Sequence, residues 1–352
     1  YFDGQRILVT TPPAGLGGIV QAASGGRHGL ALRSDGFIIA WGDNTSGQSF
    51  VPTTAFPAAS VAAGDGFSLA MRRDGTVVSW GRSGVTLSQP SGLSGVIAIS
   101  AGLTHALALR ADGTLAAWGS NLQGEGSVPP NIALASGIAS GHGFNLAILR
   151  NGTVTGWGRS EAGQRRPPPG LSNVVQVAAG RAHGLALRSD GTLVGWGDNS
   201  FGQLNIPDSA LKAAAIAAGA DHSMALLPSG QVAVWGRNNF GQTDVPAEAS
   251  FVVGMSGGGD QCFVLRRRGL QLALPRIGAG RLRVSVLSGN GELISPDRVP
   301  NIRLYGSDSL LRPFSEWTLL PPPQQTEAGE VRLLDIVDPA PSRRFYRAYE
   351  AQ

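Results

Sequence analysis

Lysine is all but missing from this chain of 352 residues: Lys212 stands alone among 28 basic side chains, the rest being arginine. Charged residues make up 15% of the sequence and the formal net charge is +4, so there is neither an acidic tail nor a basic arm. Nucleic-acid surfaces gather basic residues on one element. Here the longest runs are Arg266-Arg267-Arg268 and Arg165-Arg166, set among glycine and proline, which argues against nucleic acid as the partner. Cys262 is the sole cysteine; it excludes an internal disulfide and is expected to be a buried, inert thiol. No apolar stretch approaches the roughly 20 residues that a bilayer-crossing helix needs. His-Glu-x-x-His is absent, no Gly-x-Ser-x-Gly leads from a strand into a helix as a nucleophile elbow does, and the Asp-Asn-x-x-Gly-Gln loops lack the distal Glu and alternating acids of calcium loops. No catalytic residue, metal site or cofactor is therefore expected.

What is present is a repeat. Trp-Gly pairs stand at Trp41, Trp80, Trp118, Trp157, Trp196 and Trp235, spaced 38 or 39 residues apart, and a period held that tightly means one supersecondary unit copied about an axis. The clearest unit, Val177 to Gln203, reads VAAGRAHGLALRSDGTLVGWGDNSFGQ. Asp-Gly pairs at Asp35, Asp74, Asp112 and Asp190, with Asn151-Gly152 and Ser229-Gly230 as variants, suit tight hairpin turns that need positive φ. The flanking apolar runs have strand length, too short for helices. Each unit thus contributes a hairpin, a loop after Trp-Gly, and a further strand such as Val174 to Ala178. Period-two alternation puts Leu185 and Leu187 on one face with Ala186 on the other, and Trp196 with Val194 opposite Gly195 and Leu193. A bulky face and a flat face suit stacking of one sheet on the next around an axis, which is how propellers protect their edges.

One slot in the unit is filled by His28, Phe67, His105, Phe144, His183, His222 and, in a degenerate copy, Gln261, which makes seven units. The seventh has Gly269 at the turn and Leu274 where Trp is expected. Gly4-Gln5 matches Gly163-Gln164, Gly202-Gln203 and Gly241-Gln242, so the N-terminal segment is expected to complete the last blade. The expected fold is all-β: a closed seven-bladed β-propeller over 1–274 followed by a small antiparallel β-sandwich-like domain over 275–352. An open solenoid, which would want polar capping repeats, is the alternative.

The His-Ser/Gly-Leu-Ala-Leu, Asp-Gly and Trp-Gly-x-Asn-x-x-Gly-Gln elements resemble the repeat of the regulator of chromosome condensation family, over residues 1 to 274. The short unit with Val51-Pro52, Ile206-Pro207 and Val245-Pro246 is similar to the bacterial short-repeat members, including the β-lactamase inhibitor propellers. The resemblance implies a propeller built for binding and, by analogy, guanine-nucleotide exchange or β-lactamase inhibition. Exchange would want an inserted wedge, which short uniform units leave out. The inhibitors often carry an aromatic residue just before the slot, where this chain has Arg27, Gly66, Thr104, Gly143, Ala182, Asp221 and Asp260.

Beyond Pro275 the repeat is gone. Strand-like runs at Leu282 to Leu287, Ile302 to Tyr305, Trp317 to Leu320 and Val331 to Ile336 are separated by turn residues. The stretch from Gly306 to Trp317, with Asp335 to Asp338 and Arg344-Phe345-Tyr346-Arg347, resembles a C-terminal β module on secreted proteins of planctomycete-like bacteria. The chain starts at Tyr1 rather than Met, as expected if a signal peptide had been removed. A secreted or cell-surface monomer is the expectation.

Hairpin geometry puts the loop before the slot and the loop after Trp-Gly on one rim, with the Asp-Gly turns on the other. The first rim varies between units on a fixed scaffold, which is where binding usually resides. Its candidate binding residues are Arg27, Asp65, Thr104, His142, Arg181, Phe201, Asp221, Arg237, Phe240 and Asp260. Phe201 and Phe240 occupy matching positions in successive units and are expected to form one apolar spot, with Arg181 and Arg237 as companions. Arg33, Arg72, Arg73, Arg110, Arg150 and Arg188 on the turn rim read as solvated Arg–Asp pairs. The repeat histidines read as structural because phenylalanine fills their slot equally well. The expected function is a non-enzymatic scaffold for a protein or glycan. The rival is an enzyme with a channel-mouth site built from His142, Asp65, Asp221 and Asp260.

Overall fold

A computed structural model describes residues 12–13, 16–82, 89–246, 249 and 252–266, together with the backbone of the strands given below for the rest of the chain. The chain divides into two compact units, Tyr1–Arg266 and Arg267–Gln352. That division falls a few residues before the boundary at 274 expected from the repeat. Gly4-Gln5, Gly269 and Leu274 lie outside the described residues. No helix among the described residues is long and apolar enough to cross a membrane.

The first unit is a series of small antiparallel sheets. The first holds Ile19–Ser24 (β1), His28–Arg33 (β2) and Ile38–Gly42 (β3), and the second Ala58–Ala63 (β4), Phe67–Arg72 (β5) and Val77–Gly81 (β6). The third holds Val96–Ala101 (β7), His105–Arg110 (β8) and Leu115–Gly119 (β9), and the fourth Ala135–Ser140 (β10), Phe144–Leu149 (β11) and Val154–Gly158 (β12). The fifth holds Val174–Ala179 (β13), His183–Arg188 (β14) and Leu193–Gly197 (β15), and the sixth Ala215–Ala218 (β16), His222–Leu226 (β17) and Val232–Gly236 (β18). Val252–Gly258 (β19) and Gln261–Arg266 (β20) pair as a seventh. In the second unit, Leu270–Leu272 (β21), Arg276–Gly278 (β22) and Arg281–Ser288 (β23) belong to one sheet with Gln324–Gln325 (β26) and Val331–Ile336 (β27). Ile302–Ser307 (β24), Thr318–Leu319 (β25) and Phe345–Glu350 (β28) form another, and β21, close to the expected end of the repeat, pairs with β23.

Register explains the motifs. In the fifth sheet His183 lies opposite Gly197, Gly184 opposite Trp196 and Leu187 opposite Leu193. The turn is a three-residue loop: Gly191 N donates to Arg188 O, Arg188 N to Thr192 O, and Gly191 takes φ +85. This is a type I turn closed by a glycine bulge rather than a two-residue turn, and Asp190 Oδ1 accepts from Thr192 N at 2.9 Å and from its hydroxyl at 2.7 Å. The glycine after each Trp is equally required. Gly197 has φ +97, and a side chain there would strike the carbonyl of Ala182.

The two faces of each sheet pack as the alternation predicts. Leu185, Leu187 and Leu193 meet Ala225, Ala233 and Trp235 of the next sheet, while Ala186, Val194 and Trp196 meet Leu146, Ile148 and Phe144 of the preceding one. The same pairing joins the first sheet to the second and the second to the third. Phe263 of β20 lies against Trp41 of the first sheet, with ring centroids 5.4 Å apart. Ser24 N donates to Ser256 Oγ at 3.0 Å, the bond that Ser140 N makes to Ser100 Oγ one sheet away.

A buried polar knot recurs between sheets. His183 Nε2 lies 3.1 Å from Ser223 Oγ; that hydroxyl donates to Gln203 O at 2.8 Å, and Trp235 Nε1 donates to the same carbonyl at 2.9 Å. His28–Ser68–Gln48–Trp80 repeats it, His105–Asn145–Glu125–Trp157 uses an amide in place of the hydroxyl, and Cys262 stands in the serine position against His222 at 3.0 Å. Asn145 Oδ1 can only accept, and the serine hydroxyl is already spent on a carbonyl. Each imidazole is therefore the neutral tautomer with its proton on Nε2. Where the slot is Phe67 or Phe144, the next sheet offers Ala106 or Gly184 in place of a polar residue. Cys262 is accordingly a structural thiol, and burial pushes it up to about 12.

Burial holds His28, His183 and His222 down at about 4, and His105 also below its ordinary 6.5. The unfolded chain therefore binds more protons than the folded one between pH 6.5 and 4. Stability is fully present above 6.5, falls through that window and levels off below it, by on the order of 3 kcal/mol for each of His28, His183 and His222, and His105 adds in the same direction. Melting temperature measured against pH should show this acid limb. His183→Phe with Ser223→Ala, which copies the Phe67–Ala106 pairing, should keep the neutral-pH melt within a few degrees and make the limb shallower. A separate measurement concerns the faces: Leu185→Ala should cost about 3 kcal/mol in urea unfolding.

Candidate functional site

The loops after Trp-Gly owe their shape to one buried amide. Gln203 is 1% exposed; its Oε1 accepts from Phe201 N at 2.9 Å and its Nε2 donates to Asp198 Oδ2 at 3.0 Å. Asn199 Oδ1 accepts from Leu204 N at 2.8 Å. Gln242 accepts from Phe240 N in the same way. Glu125 takes the Gln place in the third sheet. Burial opposes its charge, but bonds from the Ser120 hydroxyl and from backbone N–H groups prevail and hold it below the usual carboxylate range. The Gly-Gln signature is thus a loop brace, and it presents the residue two before it outward.

In the fifth and sixth sheets that outward residue is phenylalanine. Phe201 is 42% exposed and Phe240 53%. The Arg237 guanidinium carbon lies 5.0 Å from the Phe201 ring centroid and 5.7 Å from that of Phe240. Phe201 and Phe240 thus share one cation. Arg237 Nη1 also donates to Asp221 Oδ2 at 3.2 Å. Arg181 clamps the same carboxylate with two bonds, Nε to Oδ1 at 2.9 Å and Nη2 to Oδ2. Asp221 is 1% exposed, so a desolvated acid between two arginines ties the rims of the fifth and sixth sheets together. Phe201, Phe240, Arg181, Arg237 and Asp221 form one constellation.

The other candidates scatter. Asp65 and His142 line a central cavity of about 90 Å³ walled by the ends of the first strands of all seven sheets. That is room for several waters. Asp65 faces Arg82 across 3.8 Å. Burial, and then the charges of Arg181, Arg159 and His105, lower His142 to about 4. Arg27 and Asp260 are exposed and Thr104 is half-buried. Asp65 and His142 sit two residues before the slot, as does Arg181, whereas Arg27, Thr104, Asp221 and Asp260 sit one residue before it. A channel-mouth site of His142, Asp65, Asp221 and Asp260 is not assembled, because Arg181 and Arg237 hold Asp221 and because Asp260 occupies the β19–β20 turn. Among the described residues no group of three or more His, Cys, Asp or Glu could hold a metal ion.

On the turn rim four arginines are committed locally. Arg33 pairs with Asp35 at 2.5 Å and Arg72 with Asp74 at 3.5 Å, while Arg73 donates to Ser34 O and Arg150 to Asp112 O of the preceding turn.

Removing the buried carboxylate should expose the role of Asp221. Asp221→Ala leaves two arginines facing each other, and thermal unfolding is expected to show a loss of about 1–3 kcal/mol, discounted because both guanidinium groups reach solvent. Arg27→Ala, on an exposed part of the same rim, should change stability by less than about 0.5 kcal/mol.

The family model described as the regulator of chromosome condensation (RCC1) repeat matches residues 19–48, 58–85, 96–125, 174–203 and 213–242. The fourth sheet falls between matched stretches yet keeps the register of the others. No curated protein sequence matches the chain. Prp20p from Saccharomyces cerevisiae, described with its binding properties to Gsp1p and histones, is similar in structure at a TM-score of 0.58 and 22% identity, over 68% of this chain and 80% of that one. Human WBSCR16 is similar at 0.58 and 20% identity, over 71% and 86%. The ectodomain of the Physcomitrella patens receptor kinase CR4 is similar at 0.57 and 21% identity, over 76% and 80%. At these identities the likeness speaks for fold alone. Five stretches of the chain are thus regulator of chromosome condensation (RCC1) repeats, and the fold is all-β, with repeated three-stranded sheets consistent with an RCC1-like β-propeller.

Proposed function

We propose that the seven sheets close into one ring, first against seventh, and that the ring is a non-enzymatic scaffold offering the Phe201–Arg237–Phe240 cluster to a protein partner. Support for closure is the Phe263–Trp41 stack and the Ser24–Ser256 bond, the same kinds of contact that join the interior sheets. In a closed ring the amides of Leu30–Leu32 and of Cys262–Leu265 exchange with solvent about as slowly as those of Leu185–Leu187. Exchange that is orders of magnitude faster at both ends would point to an open array.

The observation that carries the binding role is the cluster itself: two half-exposed rings and two arginines, braced from below by Gln203, Gln242 and Asp221. Aromatic and arginine side chains in such a rigid setting are the usual centres of interfaces. Prp20p, which has a similar fold, has protein partners in Gsp1p and histones, which favours protein over glycan here. An extracellular setting belongs to the same proposal and rests on the resemblance of the tail alone.

Partner capture from the native source separates the two rims. Phe201→Ala with Phe240→Ala should weaken capture by at least tenfold, about 1.4 kcal/mol, while changing Arg72, Arg110 and Arg188 to alanine should leave it unchanged. The reverse pattern would assign binding to the turn rim, and glycan-array binding indifferent to both sets would replace the protein partner with a sugar.

A further inference from the structure

The partner's chemistry can be narrowed, on the reading that the cluster is the binding site. Arg181 and Arg237 bring two positive charges and Asp221 one negative charge. The bonds to Asp221 use Nε and Nη2 of Arg181 and Nη1 of Arg237. That leaves Nη1 of the first and Nη2 of the second unspent among the described residues. Arg237 Nε is buried with no partner of its own. Three further acids stand on these loops: Glu161 is paired with Arg159, while Asp198 and Asp244 keep their charges and accept from the neutral donors Ser200, Gln203 and Asn238, so the arginines offer a set of unspent N–H donors rather than an excess of positive charge.

Arg237 lies against two phenyl rings and is held by Asp221 from within, so its guanidinium is fixed before a ligand arrives. A fixed guanidinium loses less freedom when it binds a carboxylate. The rings on either side supply apolar area for a side chain next to that carboxylate.

We propose that this rim spot takes an acidic protein loop, in which an Asp or Glu carboxylate bonds to the free N–H groups of Arg237 and Arg181 and an adjacent apolar side chain lies on Phe201 and Phe240. The occupant is a peptide segment, because the requirement is a charge and an apolar group side by side on one chain. A basic or uncharged segment lacks the group that the arginines select.

Selection of a random displayed peptide library on the full-length protein tests this with no partner in hand. The selected sequences should be enriched in Asp or Glu beside an aromatic or aliphatic residue. Replacing that carboxylate by its amide in a synthetic peptide should weaken binding about tenfold or more, and raising the ionic strength should weaken the acid form more than the amide. The amide exchange leaves the protein untouched, so it reads the contact even where Arg181→Gln or Arg237→Gln disturbs folding through Asp221. Binding of the acid peptide should also be lost in Phe201→Ala with Phe240→Ala. Uncharged or basic peptides whose binding still depends on the two rings would overturn the acidic partner and leave the rim site standing. Peptides indifferent to the rings would overturn the rim site as well, and a selection that enriches nothing would overturn the acidic loop.

Discussion

The propeller depends on what one sheet offers the next at a single level of the stack. At that level a ring from one sheet, imidazole or phenyl, meets a small or polar residue of its neighbour, and a Trp of the neighbour caps a main-chain carbonyl of the first. The ring is wholly buried, so the polar groups around it find their partners within the protein, the exceptions being the Nδ1 atoms of His28, His105, His183 and His222, which are left without one. Glycine three residues before the ring follows from the same crowding: a side chain at Gly180 would collide both with the His183 ring and with the carbonyl of Gly219 in the next sheet. The Ala-Ala-Gly, His/Phe and Trp-Gly elements of the repeat are therefore one constraint seen from three places.

That constraint leaves the ends of the strands free to differ. The Gln brace fixes the loop after each Trp-Gly without regard to the residues it carries, so Phe201 and Phe240 can be displayed at no cost to packing between sheets. Asp221 is the exception, since it is buried with two charged partners. A buried ion pair is weak evidence of stabilisation. Its more definite consequence is positional, because it fixes Arg237 between the two rings and couples the rim of the fifth sheet to that of the sixth.

Much of the site was legible residue by residue. Phe201 and Phe240 stand at equal distances from Trp-Gly, and equal positions in successive units lie side by side. Asp221, Arg181 and Arg237 could be named as rim residues but not joined, since Arg181 lies 40 residues from Asp221 and belongs to a different position of the unit. His142, Asp65 and Arg181 share one position of the unit, yet the first two line the cavity while Arg181 reaches across to Asp221, so position in the unit alone does not say where a side chain goes. One further signal in the sequence concerns the slot. A histidine in the slot is followed one unit later by Ser68, Asn145, Ser223 or Cys262, and a phenylalanine by Ala106 or Gly184, a pairing that appears only when successive units are read together.

The repeat in the sequence determined the strands, the turns, the two faces of each sheet and the side of the fold on which variation collects. All of these follow from local periodicity and from the few positions where only glycine fits. Tertiary structure decided which variable residues meet. Loops from different units converge only after the sheets have stacked, and the burial that makes Asp221 a clamp, lowers the histidines and raises the Cys262 thiol is supplied by neighbouring sheets rather than by the segment that contains them.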